Sequence, residues 1–257
     1  MKISDVFLAI DRAAPFATQA DFDNSGLLVG SQNWEVTGIH VALDVTQRVL
    51  DEAEVAGATL IVTHHPLMFS PRKTMTEDDY EGALLCRMIR SRIALIAAHT
   101  NLDAAPVGTN ETLAALFGLR NVTGEGEWWR VGDLPDGTTL DTLCTMLEAK
   151  LHTTVRTYGQ FTPDHPLHRL GISTGGGSDS WFDVAGLGAD AFLTGEIKHH
   201  HALAMVDAGI VGLEAGHFAT EEPGIFALAD TLQKWADEIQ WKVRITRSAC
   251  GGYALPR

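Results

Sequence analysis

Three stretches of this chain carry histidine and carboxylate in patterns that could hold metal ions. Thr63-His64-His65-Pro66 closes the apolar run Thr59-Leu60-Ile61-Val62. That run is short, β-branched and bounded by polar residues, so it reads as a buried strand. Parallel α/β sheets place their chemistry at strand ends. Side chains alternate across a strand, so His64 and His65 would diverge if it ran on. Pro66 argues that it stops, because proline cannot donate to a central ladder and holds the residue before it extended. Two imidazoles at a loop entrance could then reach two neighbouring metal ions, one each. His99-Thr100-Asn101-Leu102-Asp103 follows the apolar run Ile93 to Ala98, and His217-Phe218-Ala219-Thr220-Glu221 follows Ile210-Val211-Gly212-Leu213. Both set a histidine at a strand end and a carboxylate four residues on. Imidazole with carboxylate suits divalent zinc, manganese, iron, cobalt or nickel.

Each group also has a plainer reading. His64 and His65 could be core or hydrogen-bonding histidines, and Asp103, beside Asn101, could cap a turn. Thr220 reads as a helix N-cap, which puts Glu221 in a first helical turn, where the macrodipole favours a carboxylate without any metal. On that reading His217 lies in the loop before the helix, and His217 and Glu221 are not an i, i+4 pair. Asp23-Asn24-Ser25-Gly26 has the chemistry of a tight turn. Gly175-Gly176-Gly177, between a strand and a helix, suits anion binding through backbone N–H groups. It lacks the Lys-Ser/Thr ending of a Walker loop and the spacing of a dinucleotide fingerprint, so a flexible turn is the stronger reading. Trp128, Trp129, Trp181, Trp235 and Trp241 read as core or subunit contact.

The elements that must position these groups follow an α/β order. Ser4 reads as the N-cap of a helix to about Ala14, ended by Pro15. A strand at Ile39 to Leu43, a helix at Thr46 to Ala56 closed by Gly57, and the strand into Thr63 make a βαβ unit. Ser70 to Asp79 reads as a surface loop, Tyr80 to Arg90 as a helix, and Asn110 as the cap of a helix through Phe117. A composition shift at Gly124 to Arg130 marks a boundary. The first lobe is therefore expected to take residues 1–124 and about 215–257, and the second lobe residues 125–214. The second lobe reads as a helix at Leu140 to Leu151, strands at Thr153 to Tyr158, Leu170 to Thr174 and Ala191 to Leu193, and a helix at Lys198 to Asp207. A strand into Ala215, a helix from Glu221 to about Ala236 and a strand at Trp241 to Thr246 close the chain. Gly57 to Thr63 echoes Gly188 to Thr194, and each echo is followed by a helix, a strand and a histidine with an acid four residues on. Either two related halves or chance similarity between two βαβ units accounts for this.

Composition narrows the function classes. Of 257 residues 45% are hydrophobic and 20% charged, as in an ordinary globular protein. The formal net charge of −14 argues against a nucleic-acid backbone partner and suits cation binding, though acidic surfaces also serve solubility. Cys86, Cys144 and Cys250 include no C-x-x-C pair, so neither a disulfide framework nor a thiolate zinc site is indicated, and the cytoplasm is the expected compartment. Met1 to Asp5 enters an amphipathic helix rather than a signal peptide, and no apolar run is long enough for a membrane span.

Five blocks, in order along nearly the whole chain, resemble one family: Asp23 to Gly30, Thr63 to Phe69, His99 to Asp103, Thr194 to His200 and Gly216 to Glu221. It is the dinuclear metal-centre family, also called type 2 GTP cyclohydrolase I-like or NGG-interacting-factor-like. The resemblance implies two α/β lobes with mixed sheets flanked by helices and a dinuclear metal site between them. It implies two divalent ions per subunit, with Glu221 bridging, His65 and Asp103 on one ion, and His64 and His217 on the other. In the implied reaction His99 or Glu196 would move protons; His99 is not carried over as a ligand and reads as a residue that supports a ligand or transfers a proton, Glu196, His199 and His200 could hold substrate or relay protons, and Asp23 to Gly26 would border the site. The implied reaction opens the imidazole ring of the guanine of GTP by hydrolysis, giving dihydroneopterin triphosphate and formate. Arg72, Lys73, Lys198 and the Gly175 loop are the candidates for its triphosphate. A dinuclear phosphoester or amide hydrolase with another small-molecule substrate, and a metal-binding or metal-delivery protein without turnover, are the alternatives. The family also implies a homo-oligomer, a ring-shaped hexamer.

Overall fold

The computed structural model describes residues 1–249; Cys250 lies outside the described residues. The chain order is α1 (Ile3–Ala13), β1 (Gly26–Val29), β2 (Gly38–Ala42), α2 (Gln47–Ala56), β3 (Leu60–Thr63), α3 (Tyr80–Ser91), β4 (Ala94–Ala97) and α4 (Thr100–Ala104). It continues with α5 (Thr109–Leu116), β5 (Arg120–Thr123), β6 (Arg130–Asp133), α6 (Leu140–Leu151), β7 (Arg156–Tyr158), β8 (Arg169–Ser173), α7 (Trp181–Gly186) and β9 (Ala191–Thr194). The last elements are α8 (His199–Asp207), β10 (Val211–Glu214), α9 (His217–Glu238) and β11 (Arg244–Arg247). Two compact units result: Met1–Val107 with Ile225 onward, and Gly108–Gly224.

These boundaries differ from the expected ones near 124 and 215. β5 pairs with β6 in the second sheet, which draws residues from Gly108 into the second unit. The return to the first unit falls inside α9, so His217 and Glu221 belong to the second unit rather than to the first lobe.

The first unit holds a five-stranded sheet in the order β1-β4-β3-β2-β11. β4, β3, β2 and β11 run parallel, and β1 is antiparallel on β4. Every residue of β2, β3 and β4 is buried, as expected when helices cover both faces of parallel strands. α2 begins where Thr46 accepts a hydrogen bond from Val49 N–H, and it ends at Gly57, whose φ of 68° is the left-handed conformation that helix ends use. Val49, Leu50 and Ala53 then face a core with Leu84, Met88, Ile61 and Leu95. α1 starts at Ile3 instead of after Ser4, because the Asp5 carboxylate accepts from Lys2 N–H and fixes the start earlier.

The second unit holds a six-stranded mixed sheet in the order β5-β6-β8-β9-β10-β7. β8, β9 and β10 are parallel, and β5, β6 and β7 join antiparallel. Leu143 and Leu147 of α6 pack with Leu170, Ile172, Leu193 and Leu213 of the sheet. α5 starts after Gly108, so Asn110 is not its cap. Asn110 is instead buried, accepting from Thr174 N–H and donating to Trp128 C=O. Each unit contains a parallel β–α–β step followed by a histidine at the mouth of a helix: β3-α3-β4 leads to His99, just before α4, and β9-α8-β10 to His217, the first residue of α9.

Candidate metal centre

In the first unit the histidines gather at the carboxyl ends of β3 and β4. Thr63 lies opposite Ala97 in the parallel register, and Ala98 N–H donates to Thr63 C=O, so His64 and Ala98 are neighbours. His64 is fully buried, and its Nδ1 lies 2.9 Å from Ala98 C=O. His65 turns the other way: its N–H donates to Leu43 C=O and its Nδ1 meets Asp44 Oδ1 at 2.8 Å. Thr63 Oγ1 donates to His65 C=O and closes the turn. His99 precedes the first turn of α4, with Nδ1 at 2.8 Å from Asp23 Oδ1. The ring centroids of His64, His65 and His99 are 5.0–5.5 Å apart. One ring nitrogen or equivalent donor from each lies within 4.8 Å of the others.

The Asp23 side chain is fully buried. Burial alone would raise its carboxyl, but hydrogen bonds from His99 and Thr100 outweigh that and hold it far below the usual carboxylate range. It therefore stands ionised beneath His99. This is more than the tight turn that the residue types suggest, because Thr100 N–H, Thr100 Oγ1 and Ser25 Oγ also converge on the carboxylate.

In the second unit, α9 begins at His217, directly after β10. His217 and Glu221 are therefore an i, i+4 pair on one helix face, with Nε2 and Oε2 3.1 Å apart. This corrects the expectation that Thr220 caps the helix and leaves His217 in a loop. Thr220 Oγ1 instead lies 3.1 Å from Gly216 C=O and 2.9 Å from His217 C=O, bonding back inside the turn, and it accepts from Gly175 N–H. His217 Nδ1 meets Glu196 Oε1 at 3.1 Å.

The four rings share one logic. A carbonyl or an ionised carboxylate can only accept, so Nδ1 is the donor in each pair and a neutral ring presents its lone pair at Nε2. Two of those Nε2 atoms face a carboxylate: His217 faces Glu221 at 3.1 Å, and His64 faces Asp103 at 3.6 Å. Lone pair against carboxylate is stable only with a proton or a metal ion between them. Two ligands about 2.1 Å from one ion lie roughly 3.0–3.4 Å apart at octahedral or tetrahedral angles. The donor types suit a divalent cation in both units; the His217–Glu221 spacing falls within that range, and the His64–Asp103 spacing lies 0.2 Å beyond it. Asp103 Oδ1 stands 3.6 Å from His64 Nε2, so on distance His64 is as much a candidate partner for Asp103 as the His65 that the resemblance implies.

The family described as DUF34/NIF3 (NGG1p interacting factor 3) matches residues 1–250. The chain belongs to the DUF34/NIF3 family. Among relatives, a Clostridium perfringens protein named GTP cyclohydrolase 1 type 2 homolog is 32% identical over 246 residues, covering 92% of this chain and 93% of its own. A Streptomyces coelicolor protein of the same name is 32% identical, covering 95% and 90%. Among solved structures, Staphylococcus aureus protein SA1388 superposes with a TM-score of 0.93 at 26% identity, covering 100% of this chain and 99% of its own. The α/β fold with two mixed sheets flanked by helices is that of the NIF3 structures.

Within this DUF34/NIF3 chain, Asp44 and Asp23 escaped sequence reading as histidine partners, and Glu196 emerges holding His217. The Gly-rich loop is not an anion cradle. Gly175 N–H donates to Thr220 and Gly177 N–H to Thr174 C=O. Gly175 has a φ of +59°, and a Cβ there would lie 1.9 Å from Glu221 Oε1 and 2.9 Å from His217 Nε2. The glycine makes room for the helical pair. Arg72 is tied to Asp79 and Glu81, and Lys198 to Asp179, so two of the three basic triphosphate candidates already have carboxylate partners. His199 and His200 are exposed, and it is His201 whose Nδ1 meets Ser178 Oγ at 3.0 Å. No helix among the described residues is long and apolar enough to cross a membrane.

Proposed function

We propose that this chain is a divalent-metal-dependent hydrolase with a dinuclear centre, ligated by His64, His65, Asp103, His217 and Glu221. The observation that carries it is the common tautomer of the site histidines, each anchored at Nδ1, with two Nε2 atoms turned toward carboxylates. Bound divalent ions would lower the pKa of an attacking water and polarise the bond attacked. The chain supplies the rest. Asp44 and Glu196 hold the imidazoles of His65 and His217 in the ligating tautomer. Asp23 does the same for His99, which leaves its Nε2 able to take a proton from water or substrate and return it to a leaving group. Glu196 is thus proposed as a positioning residue, where the sequence expectation made it a proton mover.

The reaction that the relatives' names support is that of a GTP cyclohydrolase I type 2-like enzyme, releasing formate from GTP. The ion pairs of Arg72 and Lys198 favour a second reading, hydrolysis of a substrate without a triphosphate by the same residues. Protein purified without chelators and loaded with zinc, manganese or iron is incubated with GTP, and formate is assayed. Formate release supports the first reading; its absence with all three metals removes it. Metal bound to wild type and lost from His65→Ala and Glu221→Ala, by elemental analysis, supports the centre itself, and unchanged metal per chain refutes it. The proposal includes a cytoplasmic homo-oligomer, a hexamer by family resemblance, which light scattering tests.

A further inference from the structure

Glu196 reaches His217 with a side chain that is 67% exposed, so packing does not hold it there and the backbone must. Gly195 passes so close to His217 that a Cβ on it would lie 2.6 Å from His217 Cα and 2.6 Å from the Gly175 carbonyl oxygen. The next three amides are each tied to a different part of the second unit. Glu196 N–H donates to Gly175 C=O, Ile197 N–H to Glu214 Oε2 at 2.9 Å, and Lys198 N–H to Ser178 Oγ at 3.4 Å. Of these three acceptors only Glu214 offers a carboxylate, and bonds to an ionised acceptor are about twice as strong as neutral ones.

Glu214 is itself aimed by its neighbours on β7. Tyr158 O–H donates to the same Oε2 at 3.0 Å, and Arg156 Nη1 lies 3.3 Å from Oε1. The register explains this. Arg156 lies opposite Glu214 and Tyr158 opposite Gly212, so both β7 side chains stand on the face that carries Glu214. Gly212 leaves the lane between them open: a Cβ there would come within 3.2 Å of Tyr158 Cβ and 3.3 Å of Ile197 Cδ1. Contacts therefore run from Tyr158 to Glu214 to the Ile197 amide, one residue from the carboxylate that grips His217. We propose that Glu214 and Tyr158 are positioning residues for the metal centre. They fix the turn between β9 and α8 so that Glu196 keeps a proton on His217 Nδ1 and leaves Nε2 to ligate. This rests on the proposed ligand role of His217. A brace that served only the fold would stabilise the same turn without acting through Glu196.

The test is the zinc affinity of the full chain, by competition with a chromogenic chelator, for Glu196→Ala, Glu214→Ala and the double variant. Glu214→Ala should weaken zinc by about tenfold, the low end of the range for groups that orient a metal ligand. The double variant should bind no more weakly than Glu196→Ala alone, because residues that act through one contact are not additive. Glu214→Gln keeps an oxygen for the Ile197 amide and should recover most of the loss. Tyr158→Phe should weaken zinc in the same direction, by less. Wild-type affinity in Glu214→Ala overturns the proposal. Losses that multiply in the double variant also overturn it, and make Glu214 a brace of the fold. If Glu214→Ala does not fold, Tyr158→Phe with Glu196→Ala supplies the same cycle. A second readout needs no metal. In crystals of chelator-treated protein, Glu196 should leave hydrogen-bond distance of His217 Nδ1 in Glu214→Ala and keep it in wild type. A pair that stays together in that variant overturns the proposal. Wild type that binds no zinc would fail the metal reading and leave the positioning to be decided by those crystals.

Discussion

At the scale of single residues, the histidines work through what grips their far side. His64 is held by a backbone carbonyl that no side-chain substitution removes, whereas His65 and His99 depend on single carboxylates. Asp44→Asn and Asp23→Asn should therefore leave the fold in place and disturb the rings. Asp44→Asn should weaken metal affinity by about 10- to 100-fold in a competition titration with a chromogenic chelator. His99→Ala should keep its metal and lose any turnover; metal loss in that variant would make His99 a ligand. Asp23 also sets an acid limit. Its folded-state pKa is depressed, so its contribution is complete above the ordinary aspartate pKa near 3.8 and is lost as pH falls further toward the folded value. The stability gap between wild type and Asp23→Asn should be constant near neutrality and shrink below about pH 4, as followed by chemical unfolding at a series of pH values. The candidate histidines stood out in the sequence because they lie at the ends of apolar runs. Asp44 and Asp23 did not, since each reaches its histidine across 21 and 76 positions and no local periodicity marks such a pairing.

At the scale of elements, the strands and helices with strong local chemistry agree with the sequence reading. α2 has its capping threonine and closing glycine, and α3 follows Asp79, which accepts from Gly82 N–H. The start of α9 was not legible, because Thr220 carries the chemistry of a cap but spends it on bonds inside the turn and on Gly175. The Gly-rich loop read as a flexible turn, and its closeness to Glu221 was not legible for a related reason: a glycine run looks the same whether it serves an anion, a turn or the space of a side chain. That space is testable. Gly175→Ala combines a left-handed backbone with a collision against Glu221. It should cost about 1–3 kcal/mol from the backbone alone and lower metal content as the carboxylate moves. Gly176→Ala, whose nearest neighbour would be His217 Cε1 at 3.9 Å, should be close to neutral in the same unfolding and elemental assays.

At the scale of the whole chain, the acidic balance of 33 carboxylate side chains against 19 basic ones suits a protein that takes up cations. A ligand that binds only the folded state stabilises it by about 2.7 kcal/mol at a concentration 100 times its dissociation constant. For a chain of this size that is a rise of roughly 5–10 °C in unfolding temperature, which a chelator should reverse, as calorimetry can follow. The α/β class was legible from alternating strand and helix signals, and the mixed sheets came with the family resemblance. The division into units was not legible, because β5 joins the second sheet through partners that no local signal names.

The first turn of α9 holds two donors one helical turn apart. Starting a helix is its slow and costly step, and a cation clasped between positions i and i+4 staples that start. Occupancy should thus be written into the backbone itself: the amide protons of Thr220, bonded to Gly216 C=O, and of Glu221 would exchange slowly with deuterium when the clasp is closed and quickly once it is stripped. A helix mouth of this kind serves as its own gauge of loading, readable without any substrate in hand.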